Sequence, residues 1–86
     1  MARFSYSRFV ACTVLEDDFG CDIGEERPDN GGDAYLVIRR GNPVTVAILY
    51  AEPFDVYFRD LAAVANKLGI DHDQFVAALD LRSEEQ

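Results

Sequence analysis

A chain of 86 residues has room for one domain, and with 49% hydrophobic residues it has enough apolar material for a core, which argues against a disordered tail. Sixteen Asp and Glu against eight Lys and Arg leave a net charge of −8, a balance that favours solubility and repels nucleic acid and anionic membranes. No apolar run approaches the roughly 20 residues that span a bilayer, and Phe4-Ser5-Tyr6-Ser7-Arg8 interrupts any signal-peptide core, so a cytoplasmic address and no membrane association are expected.

Residues 3–15 read as a strand. Phe4, Tyr6, Val10, Cys12 and Val14 share one parity, and β-branched and aromatic residues run throughout. Arg8 breaks the pattern and Phe9, Ala11 and Leu15 lie on the other parity, which fits either a strand partly covered on both faces or a bulge near Ser7. Residues 16–33 read as an acidic connection rich in turn residues: Gly20, Gly24, Pro28 and Asn30-Gly31-Gly32. Within it, Phe19, Cys21 and Ile23 offer an alternative, a short strand pairing with the first. Cys12 and Cys21 match no metal spacing. A hairpin at Glu16-Asp17 would bring them opposite each other, whereas a reducing compartment makes them two small buried side chains.

Residues 34–50 read as a β-hairpin around Arg39-Arg40-Gly41-Asn42-Pro43. A two-residue Gly41-Asn42 loop would set Val37 against Val46 and Tyr35 against Ile48, with Pro43 at a strand start. Both strands are so apolar that cover is expected on both faces. Residues 53–81 read as a helical hairpin. Phe54, Tyr57, Phe58, Leu61, Val64, Ala65 and Leu68 recur at helical spacing, Pro53 suits a first turn and Gly69 a left-handed C-cap. Asp71 then caps a second helix that turns Phe75, Ala78 and Leu79 inward, with Gln74 placed as in a capping box. Adjacent helical residues diverge by about 100°, so of Tyr57 and Phe58 one faces water, and the hydroxyl selects Tyr57. The expected fold is α+β: an antiparallel sheet of three or four strands packed on a C-terminal helical hairpin. It forms one domain over residues 1–81, followed by a polar tail at 82–86.

Little in the chain carries chemistry. His72 is the only histidine; it lies between two aspartates at a helix start, as a solvated surface residue. Phosphate-cradling glycine motifs are missing, and the acids do not follow the EF-hand order, so neither catalysis, metal nor cofactor is expected.

Two local patterns resemble known families. Leu61 to Leu79, with Gly69 at the turn, resembles a helix-turn-helix, whose second helix begins with base- and phosphate-contacting residues. Here that position reads Asp71-His72-Asp73-Gln74, and the aspartates oppose a phosphate backbone. Val37-Ile38-Arg39-Arg40-Gly41-Asn42-Pro43-Val44-Thr45-Val46-Ala47-Ile48-Leu49 resembles the hairpin of prevent-host-death antitoxins, a resemblance that implies dimerisation and operator contact. The N-terminal helix of that family is replaced in this reading by a strand and an acidic loop.

The leading functional expectation is a non-enzymatic, acidic protein-interaction module. It would act as an inhibitor occupying a basic, nucleic-acid-binding type surface on its partner, without touching nucleic acid itself. The acidic surface comprises Asp17, Asp18, Asp22, Glu25, Glu26, Asp29, Asp33, Asp71 and Asp73. Phe54 and Tyr57 are the aromatic anchors of a homodimer, a state that would help so short a chain. The alternative is a small antitoxin-type or transcriptional regulator; a small enzyme or metal-binding domain comes third.

Overall fold

Ser7 decides the path of the N-terminal segment. In the computed structural model, which describes residues 3–50 and 55–84, β1 (Ser5–Ser7) gives way at once to α1 (Arg8–Thr13). The Ser7 Oγ accepts a hydrogen bond from the Val10 backbone N–H at 3.0 Å, satisfying a donor that the first helical turn leaves unpaired. The helix runs on into a π-helical turn, Val14–Asp18. The strand expected over residues 3–15 is therefore corrected to three extended residues and a helix. Val10, Ala11, Val14 and Leu15 are the buried positions, spaced as two i, i+4 pairs on one helical stripe. Burial of that stripe and the Ser7 cap outweigh the β-propensity of the individual residues.

β1 pairs antiparallel with β5 (Asp55–Tyr57), Tyr6 opposite Val56, and both of these side chains are buried. β5 corrects a second expectation, a helix running from Pro53. α2 (Phe58–Lys67) starts only after it, with Tyr57 extended at φ −70° and ψ 138° in the N-cap position. Pro53 and Phe54 lie outside the described residues.

The larger sheet has the order β2-β3-β4, built from β2 (Asp22–Glu26), β3 (Tyr35–Arg40) and β4 (Thr45–Leu49), all antiparallel. Residues 16–33 are thus not a bare connection. The short strand weighed as an alternative exists, but it pairs with β3 and not with the first strand. Two contacts fix it there: Ile23 opposes Ile38, and the Cys21 N–H donates to the Leu15 carbonyl at 2.9 Å. The β3–β4 register also differs from expectation. The connection is the four residues 41–44, with Gly41 at φ +88°, so Val37 faces Ile48 and Pro43 lies in the turn. A shift of two residues preserves parity, so each side chain stays on its expected face.

One face of this sheet carries Leu36, Ile38, Ala47 and Leu49 into the core. Leu61, Val64, Ala65 and Leu68 of α2 and Phe75 and Leu79 of α3 (His72–Glu84) meet them there, together with the α1 stripe. The α+β expectation holds: an antiparallel three-stranded sheet with helices packed on it. The helical hairpin closes as the sequence indicates. Gly69 is left-handed at φ +73°, the Ile70 N–H reaches back to the Ala65 carbonyl at 2.9 Å, and the Asp71 carboxylate accepts from the Gln74 N–H at 3.0 Å.

Three side chains lock the layers through long-range polar contacts. Arg40 donates from Nε to the Phe19 carbonyl (3.1 Å) and from Nη1 to the Leu68 carbonyl (2.9 Å), tying the sheet to two helix ends. The Tyr6 hydroxyl donates to Asp80 Oδ1 at 2.6 Å and accepts from the Arg3 N–H at 3.1 Å. Arg82 forms a two-pronged pair with Asp18, at 2.9 and 3.3 Å. Residues Arg82–Glu84, expected to begin a polar tail, accordingly extend α3.

Candidate interaction surface

The sheet's second face is where the fold leaves apolar area unused. Strand residues alternate, so the partners of the core-facing set share the opposite side: Asp22, Gly24 and Glu26 from β2, Tyr35, Val37 and Arg39 from β3, Val46 and Ile48 from β4. Val46 is 41% exposed, Ile48 51%, and Tyr50, immediately after β4, 67%. Val37 is 5% exposed yet stands outside the main core cluster. The rings of Tyr35 and Tyr50 meet with centroids 5.8 Å apart. Cover on both faces was expected; among the described residues the helices cover only one. The open face grades from acidic at β2 to apolar at β4.

Among the described residues β4 is also an edge strand, paired on one side only. Beside it, a groove of about 560 Å³ separates the strand from α2, with Val46, Ile48 and Tyr50 on one wall and Asp60, Ala63 and Lys67 on the other. A second cleft, of about 740 Å³, mixes Arg8, Arg27 and Arg59 with Glu25, Asp33 and Asp55. Opposite charges there offset one another, leaving no built anion or cation site. Among the described residues no group of three or more His, Cys, Asp and Glu is arranged to hold a metal.

The acids singled out from the sequence are distributed over several places. Asp17 and Asp18 end the π-helical turn, Asp22, Glu25 and Glu26 lie on β2, and Asp29 and Asp33 lie between β2 and β3. Asp71 and Asp73 flank the start of α3, whereas Asp18 pairs with Arg82 near its end. That is about 16 Å away along the axis at 1.5 Å per residue, so the two groups are separate charges. Several acids already have structural work. Asp18 holds Arg82, Glu25 pairs with Arg8 at 3.4 Å, Glu26 lies 4.0 Å from Arg39 and accepts from the Tyr35 hydroxyl at 3.3 Å, and Asp71 caps a helix. Asp17 and Asp22 carry no ion pair among the described residues.

Of the two aromatic anchors, Phe54 is outside the described residues. Tyr57 is 41% exposed, meets Phe4 edge-on with centroids 5.4 Å apart and lies under the Arg59 guanidinium at 5.7 Å. Phe58 is half-buried against the core. His72 is exposed, its ring against that of Phe58. Cys12 and Cys21 are free thiols, and burial pushes both up from the ordinary thiol range.

Sequence reasoning missed Val46, Ile48 and Tyr50 as surface residues. The continuous run from Val44 to Tyr50 hid them, because periodicity alone cannot say which half of an unbroken apolar strand is wet. No protein-family model, curated protein or solved structure matches the chain, so this surface stands on its own geometry.

Proposed function

We propose that this chain is a non-catalytic, acidic protein-interaction module that receives a basic partner on the open face of its sheet. The supporting observation is the composition of that face. Val46, Ile48 and Tyr50 expose apolar area next to Val37, while on β2 Asp22 and Glu26 outnumber the single Arg39 beside them. A fitting partner presents an aromatic or aliphatic ridge flanked by Arg or Lys, as a nucleic-acid-binding protein does at its groove. Occupying that groove would make the module an inhibitor. Its charge of −8 would speed encounter and disfavour acidic competitors. Two free thiols suit a reducing compartment, which supports a cytoplasmic setting, and no helix among the described residues is long and apolar enough to cross a membrane.

The test uses a defined Arg-rich peptide carrying one aromatic residue, measured against the full chain by calorimetry. Binding at low salt should weaken in Asp22→Asn/Glu26→Gln, which spares the structural pair Asp18–Arg82, and again in Ile48→Ser. It should also weaken as added salt shortens the Debye length from about 10 Å toward 3 Å. Equal affinity in all variants and salts rejects the proposal. A salt-dependent shift of duplex DNA by the same protein would instead favour the regulator reading.

A further inference from the structure

We infer that two copies of this chain associate through the β4 edge, pairing β4 with β4 antiparallel about a twofold axis near Ala47. The inference concerns the strand edge and not the face, and it holds whether or not a basic partner binds. Three independent features lead to it.

Backbone chemistry comes first. β4 is paired only with β3, so one row of its N–H and C=O groups has no strand partner among the described residues. Soluble proteins protect such rows with Lys, Pro, a bulge or a covering element. Thr45-Val46-Ala47-Ile48-Leu49 contains no charge and no proline, and its pairing to β3 is regular over five consecutive residues. Pro43 lies outside the strand, in the turn.

Charge comes second. In a chain of net charge −8, a surface that meets its own copy must be one where the acids are scarce, because like charges placed together oppose association. The opposite edge, β2, reads Asp-Ile-Gly-Glu-Glu and would set carboxylates against carboxylates. The segment from Gly41 to Tyr50 has none.

The third feature is self-complementarity on α2, which forms the far wall of the groove beside β4. Asp60, Ala63 and Lys67 lie at i, i+3 and i+7, on one face of the helix, and all three line that groove. Asp60 and Lys67 are about 10.5 Å apart along the axis, on either side of Ala63. A twofold axis through the β4 edge runs the two α2 helices antiparallel, so Asp60 of each copy approaches Lys67 of the other, with the small Ala63 between them. In an isologous interface every such contact occurs twice. Among the described residues Asp60 pairs with its exposed neighbour Arg59, at 3.8 Å, a contact that leaves the carboxylate accessible. On β4, Val46 of one copy meets Ile48 of the other, on the open face of both.

The assembly is a six-stranded sheet. Its apolar centre is made from both β4 strands and its acidic margins from the two β2 strands.

The experiment is sedimentation velocity on the purified full chain over a dilution series, without any partner, so that its outcome is separable from peptide binding. The expected result is a concentration-dependent shift from one chain mass to two. Val46→Lys, which places a charge at a position that is already 41% exposed, should weaken the dimer by about tenfold or more. Lys67→Glu sets like charges against each other twice and should weaken it about tenfold. The swap Asp60→Lys/Lys67→Glu should bring affinity back to within about threefold of the parent. That recovery is one that damage to a single chain would not produce. Circular dichroism of each variant separates lost pairing from lost folding. A single chain mass at every concentration overturns the inference, as does a dimer that Val46→Lys and Lys67→Glu leave unchanged.

Discussion

The two edges of the three-stranded sheet meet water in opposite ways. β2 is guarded by carboxylates: Glu25 reaches Arg8, Glu26 leans toward Arg39 and Tyr35, and Gly24 contributes no side chain to the open face. β4 has no such guards and exposes alternate Val46 and Ile48. The same backbone geometry thus yields a charged edge and an apolar one, and side-chain identity makes the difference. Within β4 the contrast repeats between faces. Leu49 is among the most deeply buried side chains, and Ile48, one residue away, is half exposed.

The largest effect should come from testing that second contrast. Leu49→Ala should cost about 2–5 kcal/mol of stability by opening a core cavity, whereas Ile48→Ala should stay within about 0.5 kcal/mol and act on association instead. Urea unfolding of the two variants checks this, and equal losses would mean that the open face is covered after all. Next in size is Arg40→Ala. It leaves the Phe19 and Leu68 carbonyls without their donor and loosens the core side of the sheet, at about 2–3 kcal/mol on the same measurement.

Tyr6 gives a pH dependence confined to the buried side of the molecule. Burial raises its phenol above the usual tyrosine range, and its hydrogen bond to Asp80 raises it further. Its folded pKa therefore exceeds its unfolded one. The stabilisation is complete below about pH 10 and is lost as pH rises through the folded value. Tyr6→Phe should cost about 1–2 kcal/mol at neutral pH and flatten the alkaline loss in a pH series of thermal melts. Cys12 and Cys21, also raised by burial, act in the same direction. The smallest effect belongs to the guarded edge. Asp22→Asn with Glu26→Gln should change stability by less than about 0.5 kcal/mol, because both side chains are exposed, while reducing the salt dependence of peptide binding.

What the sequence made legible follows from how local each signal is. The β3–β4 hairpin, the helix break at Gly69 and the Asp71 cap depend on neighbours within a few residues, and all three were readable. Residues 3–15 misled because Val10, Cys12 and Val14 satisfy a strand's parity, while Val10 with Val14 and Ala11 with Leu15 satisfy a helix's. The Ser7 cap and the burial of both pairs decided between them. β5 is three residues long and owes its form to β1, some fifty residues earlier, a pairing with no local signature. The acids were visible as a cluster in sequence, but not that Asp18 would be held by Arg82 at the far end of the chain. The apolar face was visible only as hydrophobic content. Its exposure is a property of where the helices stop.

Hydrogen exchange at two protein concentrations compares the two edges most directly. Amides of Thr45–Leu49 should exchange more slowly at the higher concentration, while those of Asp22–Glu26 keep the same rates. Rates at β4 that do not depend on concentration, or slowing at β2 instead, would contradict the assignment of β4 as the adhesive edge.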